Sequence, residues 1–187
     1  MARFFRWRTR LRRFGKAKDG VAAVEFGFVA IPFFLLLIGS LEVAMMGFAQ
    51  TSLDFAVSET GRQIRTGRAQ QGGMTAGQIK QQLCDNATRF IVLDCDGSLY
   101  LDVDRYDSYM DAAQGVASPI DANGQFQSGG FGYNPGASSE IVVVRAYYRW
   151  QVITPLFQAV FANNKGGDRV MVSTMMFRNE PFGAAGS

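Results

Sequence analysis

One stretch near the start of this chain sets its architecture: Gly20-Val-Ala-Ala-Val-Glu25-Phe26-Gly-Phe-Val-Ala-Ile-Pro32-Phe-Phe-Leu-Leu-Leu-Ile-Gly-Ser-Leu41. Glu25 is its only charged residue, and the sixteen residues from Phe26 to Leu41 carry no charge. As a helix, residues 21–48 would measure roughly 42 Å at 1.5 Å per residue, more than the 30 Å or so of a bilayer's hydrocarbon core. The stretch therefore predicts a helix that crosses a membrane.

Charge is distributed unevenly along the 187 residues. Residues 1–20 contain eight basic residues and one acidic residue, a net charge of +7, whereas the remaining 11 basic and 15 acidic residues give −4. Because the basic residues flank the apolar stretch only on its N-terminal side, the positive-inside rule predicts a cytoplasmic N-terminus with the rest of the chain outside. A basic leader of this kind, with aromatic residues at the membrane interface, needs no nucleic-acid partner, and we predict none.

The apolar helix is predicted to continue beyond the bilayer as an amphipathic stalk. Small and apolar residues recur there at three- and four-residue steps, with polar residues between them. The positions are Met46, Ala49, Leu53, Ala56, Val57, Thr60 and Ile64. Gly67 is predicted to end the helix. The chain is thus expected to comprise a basic cytoplasmic leader at 1–20, a transmembrane helix with an amphipathic extension at 21–67 and an outer domain at 68–187.

The outer domain is predicted to be α+β, a small antiparallel sheet packed with helices. Thr75 precedes an expected helix at 76–92, and Pro155 opens a short one that ends at Ala162. Strands rich in β-branched and aromatic residues are expected at 99–104, 141–150 and 169–178. Residues 112–138, rich in Gly, Ser, Asn and Pro without periodicity, are expected to form a flexible surface loop.

The numbers of cysteine and histidine residues limit the chemistry that the outer domain can perform. The two cysteines, Cys84 and Cys95, both follow the membrane stretch. An even count in an oxidising compartment favours one disulfide, and the alternative is a pair of buried free thiols. The chain has no histidine, which removes the usual general base and the commonest zinc ligand. We therefore predict no enzyme activity, no cofactor and no metal.

Glu25 is the residue most in need of explanation, because a carboxylate in the hydrocarbon layer is costly and marks a functional candidate. Its plainer interpretation is a position at the cytoplasmic interface, with Glu42 near the opposite one. The spacing from Gly20 favours function. Cleavage after Gly20 would make Val21 the first residue and Glu25 the fifth. The carboxylate could then pair with the new α-amino group of a neighbouring subunit in a medium of low dielectric constant.

Pro32 removes one intrahelical hydrogen bond and clashes with the carbonyl of Phe28, which predicts a kink or a locally melted turn. Such a turn could let subunits extend as they are drawn from the bilayer. The alternative is a proline that the membrane helix simply tolerates.

The segment Gly20–Gly39 resembles the type IV pilin signal, and more closely the TadE-like minor pilins of the Tad (tight adherence, Flp) pilus. The similarity extends to Arg62–Gly67, to the two cysteines and to three aromatic-rich segments. These segments are Tyr147–Trp150, Thr154–Phe157 and Phe177–Phe182. Major Flp pilins are very short and carry tyrosine after the glutamate, so Phe26 and the large outer domain indicate a minor subunit.

The resemblance implies a pilin-like fold and a role in assembling a pilus for surface adhesion. The implied partners are the major Flp-type pilin, other minor pilins, a prepilin peptidase that cuts between Gly20 and Val21, and the inner-membrane Tad platform proteins. Glu25, Phe26 and Pro32 are the implied assembly residues. One alternative is an uncleaved, single-pass periplasmic binding or scaffold protein. A tethered hydrolase is another, and it would need a polar cleft with perturbed carboxylates.

Two further clusters have plainer explanations. Six aspartates between Asp94 and Asp111 could suggest a calcium site, but they lack EF-hand spacing, and alternate aspartates on a strand are expected to share one solvated face. Tyr147–Trp150 could form a protein-binding patch. Alternation along the strand predicts that half of those four residues lie in the core.

Overall fold

The computed structural model describes residues 20–183, except 90, 92, 116 and 117. The leader therefore lies outside the described residues apart from Gly20. The elements follow in the order α1 (Val21–Arg65), α2 (Arg68–Gln71), α3 (Ala76–Ala87), β1 (Leu99–Tyr106), α4 (Tyr109–Gln114), β2 (Ile141–Gln151), a 3₁₀ turn (Pro155–Phe157), α5 (Gln158–Phe161) and β3 (Asp168–Arg178). This is the predicted α+β class, with a long apolar helix before a small sheet.

The chain divides into two compact units between Leu41 and Glu42. The described part of the first unit is the N-terminal half of α1, and nearly all of its side chains are exposed. Among the residues that the structure describes, α1 is the one helix long and apolar enough to cross a membrane. It is helical on both sides of Pro32 and across it, without a break.

The C-terminal half of α1 belongs to the second unit and packs by one face, as its periodicity predicts. All seven predicted positions from Met46 to Ile64 are buried. Gly61 permits close packing against β3, because a Cβ there would lie 2.5 Å from Met175 Sδ. Gly67 follows the helix with φ of +77°, a left-handed conformation that glycine adopts without strain. The predicted end of α1 is therefore confirmed.

The sheet is antiparallel throughout, in the order β1-β2-β3. Val144 of β2 pairs with Val103 of β1 and with Met175 of β3, which fixes the register. One face of the sheet joins the buried face of α1 and the α3 residues Ile79 and Leu83 in a single core. All three predicted strands are present, and each is slightly longer than expected.

The helix predicted at 76–92 is present, but its predicted end is wrong, because α3 ends at Ala87. Thr75 caps its start through a capping box with Gln78. At its end, Thr88 Oγ1 donates to the carbonyl of Cys84 at 2.9 Å and occupies an acceptor of the last turn. Phe90 and Ile91 fit the apolar periodicity, but Phe90 falls outside the described residues and Ile91 lies beyond the helix.

The second face of the sheet is covered by part of the segment 112–138. Phe131 stacks on Tyr147 with ring centroids 4.7 Å apart, and Phe126 packs beside both rings. The amide of Val103 donates to Gly132 O at 2.9 Å, so this segment also lines the outer edge of β1. As its composition predicts, the segment forms no long helix or strand over its described residues, but it packs against the sheet. This packing buries β2 on both faces.

Candidate functional sites

The proposed cleavage site and Glu25 lie at the exposed start of α1. Gly20 directly precedes the helix, and Val21 is its first residue. Glu25 and Phe26 are exposed in the second turn. Residues four apart on a helix have Cβ atoms about 5–6 Å from each other. An amino group created at Val21 would therefore start on the same helix face as the Glu25 carboxylate, both accessible to another chain.

The first unit presents apolar surface on every side of the helix. Large side chains from Phe26 to Leu41 are exposed all around α1, and Pro32 is exposed among them. A soluble monomer rarely exposes a contiguous apolar surface of this extent. A helix that is apolar all round requires lipid or other helices around it. This part of α1 is therefore the candidate surface for insertion and for helix-to-helix assembly.

Glu42 opens the second unit and differs from Glu25 in being buried, with 1% of its surface exposed. Its Oε1 accepts a hydrogen bond of 2.6 Å from the amide of Ile153 and a longer one of 3.5 Å from that of Thr154. Within the described residues, Oε2 has no hydrogen-bond partner. Glu42 thus binds the backbone that follows β2, a role that its position in an apolar run did not indicate.

The structure joins Cys84 to Cys95 in a disulfide, as the sequence predicted. The bond links the last turn of α3 to the segment before β1, and both cysteines pack against the main core. The same segment is held to β2 by the amide of Asp94, which donates to the Tyr148 hydroxyl at 3.2 Å. The bridge therefore fixes the connection between helix and sheet.

A buried ion pair lies on the second face of the sheet. Arg145 of β2 contacts Asp102 Oδ2 at 2.8 Å and Asp104 Oδ2 at 3.3 Å. Asp102 Oδ1 also accepts a hydrogen bond of 2.9 Å from the amide of Gly132. The expectation of one solvated aspartate face is therefore wrong for Asp102, which is buried because Arg145 neutralises it and residues 130–132 cover it.

Asp104 is the perturbed carboxylate of this cluster. Burial raises the pKa of Asp104 above its ordinary value, and the nearby charge of Asp102 raises it further. Arg145 acts in the opposite direction but does not cancel these effects. The cause is physical: burial penalises the ionised form, and a like charge adds to that penalty.

These residues line a cleft of about 280 Å³ together with Tyr106 and Tyr147. A polar cleft with one perturbed carboxylate meets only part of the condition stated above for a tethered hydrolase, which needs more than one. Its charged groups are already engaged, however: Asp102 holds Arg145 and Gly132, and Asp104 holds Arg145. The arrangement accounts for the attachment of residues 130–132 to the sheet without a substrate.

The aspartates between Asp94 and Asp111 do not converge on one point. Within the described part of the chain, no group of three or more Asp, Glu or Cys side chains could hold a metal ion. Asp94 accepts hydrogen bonds from the Asp96 amide and Ser98, while Asp111 bonds Ser108 at the start of α4. These are turn and helix-cap interactions.

The Tyr147–Trp150 segment is mostly core. Tyr147 is covered by Phe131, while Tyr148 and Trp150 point into the main core on the other face. Arg149 is the most exposed of the four and binds Asp168 through Nε at 3.0 Å. The sequence held a signal for this burial that was missed: β2 has apolar residues on both of its faces. Strands of this kind are covered on both sides.

Comparison with known proteins matches residues 20–62 to the family described as TadE-like protein. No curated protein and no solved structure matches the chain. The resemblance drawn from the sequence is therefore confirmed over the segment that holds Gly20, Glu25, Pro32 and Glu42. The match associates residues 20–62 with the TadE-like proteins of the Tad pilus system.

Proposed function

The chain is TadE-like over residues 20–62, and on this premise we propose that it is a minor pilin or pseudopilin that takes part in assembling a type IV-like Tad (Flp) pilus. The observation that carries the proposal is the apolar N-terminal half of α1, which is exposed on nearly every side, begins at the Gly20–Val21 peptide bond and carries one carboxylate in its second turn. A folded outer unit begins within the same helix, at Glu42.

Assembly would proceed from this surface. A prepilin peptidase cuts after Gly20, and the freed amino group of Val21 becomes the charge partner for Glu25 of an adjacent subunit. Surrounded by apolar helices, such a pair interacts more strongly than in water. The neighbouring subunits are the major Flp-type pilin and other minor pilins, and the inner-membrane platform proteins supply the machinery.

The proposed location is the bacterial inner membrane, with a cytoplasmic N-terminus, a periplasmic outer unit and incorporation into the extracellular pilus. Two features support it: the concentration of positive charge before the helix and the disulfide after it. Basic residues stay on the cytoplasmic side, and disulfides persist in an oxidising compartment.

An uncleaved, membrane-anchored binding or scaffold protein is the second candidate. It is favoured by the second unit, which holds its own core and sheet and needs no neighbouring subunit to bury them. The two candidates differ in what Glu25 does, because a simple anchor gains nothing from a carboxylate in its apolar stretch.

The test is Glu25→Gln in cells that make the pilus and lack the wild-type copy. We expect the variant to enter the membrane fraction as wild type does but to be lost from sheared filaments, because the amide cannot pair with an amino group as a charge. Glu59→Gln is the matched control, since Glu59 lies on the same helix within the second unit and pairs with Arg62. Normal piliation and normal incorporation of Glu25→Gln would favour the plain anchor.

A further inference from the structure

A group of apolar side chains is exposed between β2 and β3. Ile153, Leu156 and Val160 are 60%, 63% and 72% exposed, although the unit has a hydrophobic core. They lie on the 3₁₀ turn and α5, or directly before them. On α1, Val43, Met45 and Phe48 are also exposed. We call these six residues the apolar rim.

The rim lies at the end of the second unit where α1 enters it. The hydrogen bond from the Ile153 amide to Glu42, the first residue of the unit, fixes this position. An apolar cleft of about 360 Å³ is lined by Val43 and Met46 of α1 and by Phe161 of α5. The two parts of the rim, far apart in the sequence, are therefore brought to one end of the unit.

The chain itself indicates what covers this rim. Residues 21–41 would span roughly 31 Å as a helix, which matches a hydrocarbon core of about 30 Å. Leu41 ends this stretch, and Glu42 follows it directly. We therefore expect Ile153, whose amide binds the Glu42 carboxylate, to lie about one helical turn or less beyond the hydrocarbon, at the depth of the lipid headgroups.

The basic residue next to the rim agrees with a lipid surface. Arg169 is exposed and donates from Nη1 to the carbonyl of Phe161 at 3.2 Å, at the end of α5. Apolar side chains with basic residues beside them are typical of segments that lie in the membrane interface.

We propose that the apolar rim rests in the headgroup region of the bilayer that α1 crosses, so that the outer unit lies against the membrane surface. The occupant is the phospholipid bilayer itself. The inference rests on the proposed membrane insertion of α1. It adds that the unit has a second, reversible contact with lipid, which the subunit must give up when it leaves the bilayer.

The test uses the full chain in bilayer nanodiscs that hold one copy each, with a spin label on a single introduced cysteine. The native cysteines are joined in a disulfide and do not react with the label. Leu156→Cys and Val160→Cys report on the rim. Met110→Cys is the matched control, because Met110 is an apolar side chain of similar exposure, 66%. Leu36→Cys reports on the apolar half of α1.

The control lies at the other end of the sheet. Met110 belongs to α4, which follows Tyr106, and Tyr106 pairs with Ile141 at the start of β2. Ile153 comes after the end of β2, so the two sites are separated by the length of an eleven-residue strand. The ten steps from Ile141 to Gln151 span roughly 33 Å at 3.3 Å per step.

We expect labels at Leu156 and Val160 to be relaxed by oxygen, which concentrates in lipid, and protected several-fold from a water-soluble nickel relaxant. The label at Met110 should behave in the opposite way. A second outcome is that the rim labels show the same oxygen and nickel relaxation as the label at Met110 while the label at Leu36 shows that of lipid. That result would contradict the rim inference and leave the proposed membrane insertion of α1 intact. If the label at Leu36 is also relaxed by nickel as in water, the proposed membrane insertion of α1 is wrong, and the rim inference that rests on it is wrong too. Nickel protection of the rim that appears only in nanodiscs holding two copies would assign the rim to a second chain and overturn the proposal.

Discussion

Glu42→Ala is the substitution with the clearest predicted effect on the outer unit. The Glu42 carboxylate is buried and accepts a hydrogen bond of 2.6 Å from the amide of Ile153. Hydrogen bonds to charged groups contribute about 1.5–3 kcal/mol, and the variant leaves the amide without its partner. Removing the unpaired Oε2 offsets part of this loss, because that oxygen is buried without a hydrogen bond in the described structure. We expect a net loss of about 2 kcal/mol in the free energy of unfolding.

The assay is thermal unfolding of the full chain in detergent, followed by near-ultraviolet circular dichroism of the core aromatic residues. A loss of about 2 kcal/mol corresponds to a fall in Tm of roughly 4–8 °C for a chain of this size. Glu59→Ala is the matched control, because the exposed Glu59–Arg62 pair contributes only about 0.3–0.5 kcal/mol. Glu42→Gln should lie between the two, since it keeps an acceptor without the charge. Equal Tm values for Glu42→Ala and Glu59→Ala would refute the reasoning.

Three further predictions concern the outer unit, each measured as Tm in the same assay. Replacing Cys84 and Cys95 together by alanine should destabilise the unit by about 3 kcal/mol on the chain-entropy model, and an unchanged Tm would contradict this. Asp102→Asn should cost about 3–5 kcal/mol, because it leaves the buried Arg145 charge poorly paired; a loss below 1 kcal/mol or so would contradict that account. Because the pKa of Asp104 is raised on folding, its contribution to stability is present below the unfolded pKa and is lost as pH rises through the folded value. The Tm of Asp104→Asn should therefore rise relative to wild type between pH of about 3 and about 7, and a constant difference would contradict the assignment.

The elements with strong periodicity could be predicted from the sequence. The seven small and apolar positions of α1, the capping residue Thr75 and the three strands all follow from local patterns that tertiary packing then reinforces. The position of Glu25 on the helix also followed, because helical spacing is fixed by geometry.

The parts that were missed depend on contacts between residues far apart in the chain. Nothing local indicates that Phe131 would stack on Tyr147, or that Glu42 would bind an amide 111 residues away. Asp102 looked solvated because alternate aspartates on a strand share a face. Only the cross-strand position of Arg145 and the covering segment explain its burial.

The most direct test of the account is the mass of this chain recovered from sheared, purified filaments. The account predicts a chain present in the filaments, beginning at Val21 and lacking the first 20 residues. A chain found only in the inner membrane, with its leader still attached through Gly20, would contradict it.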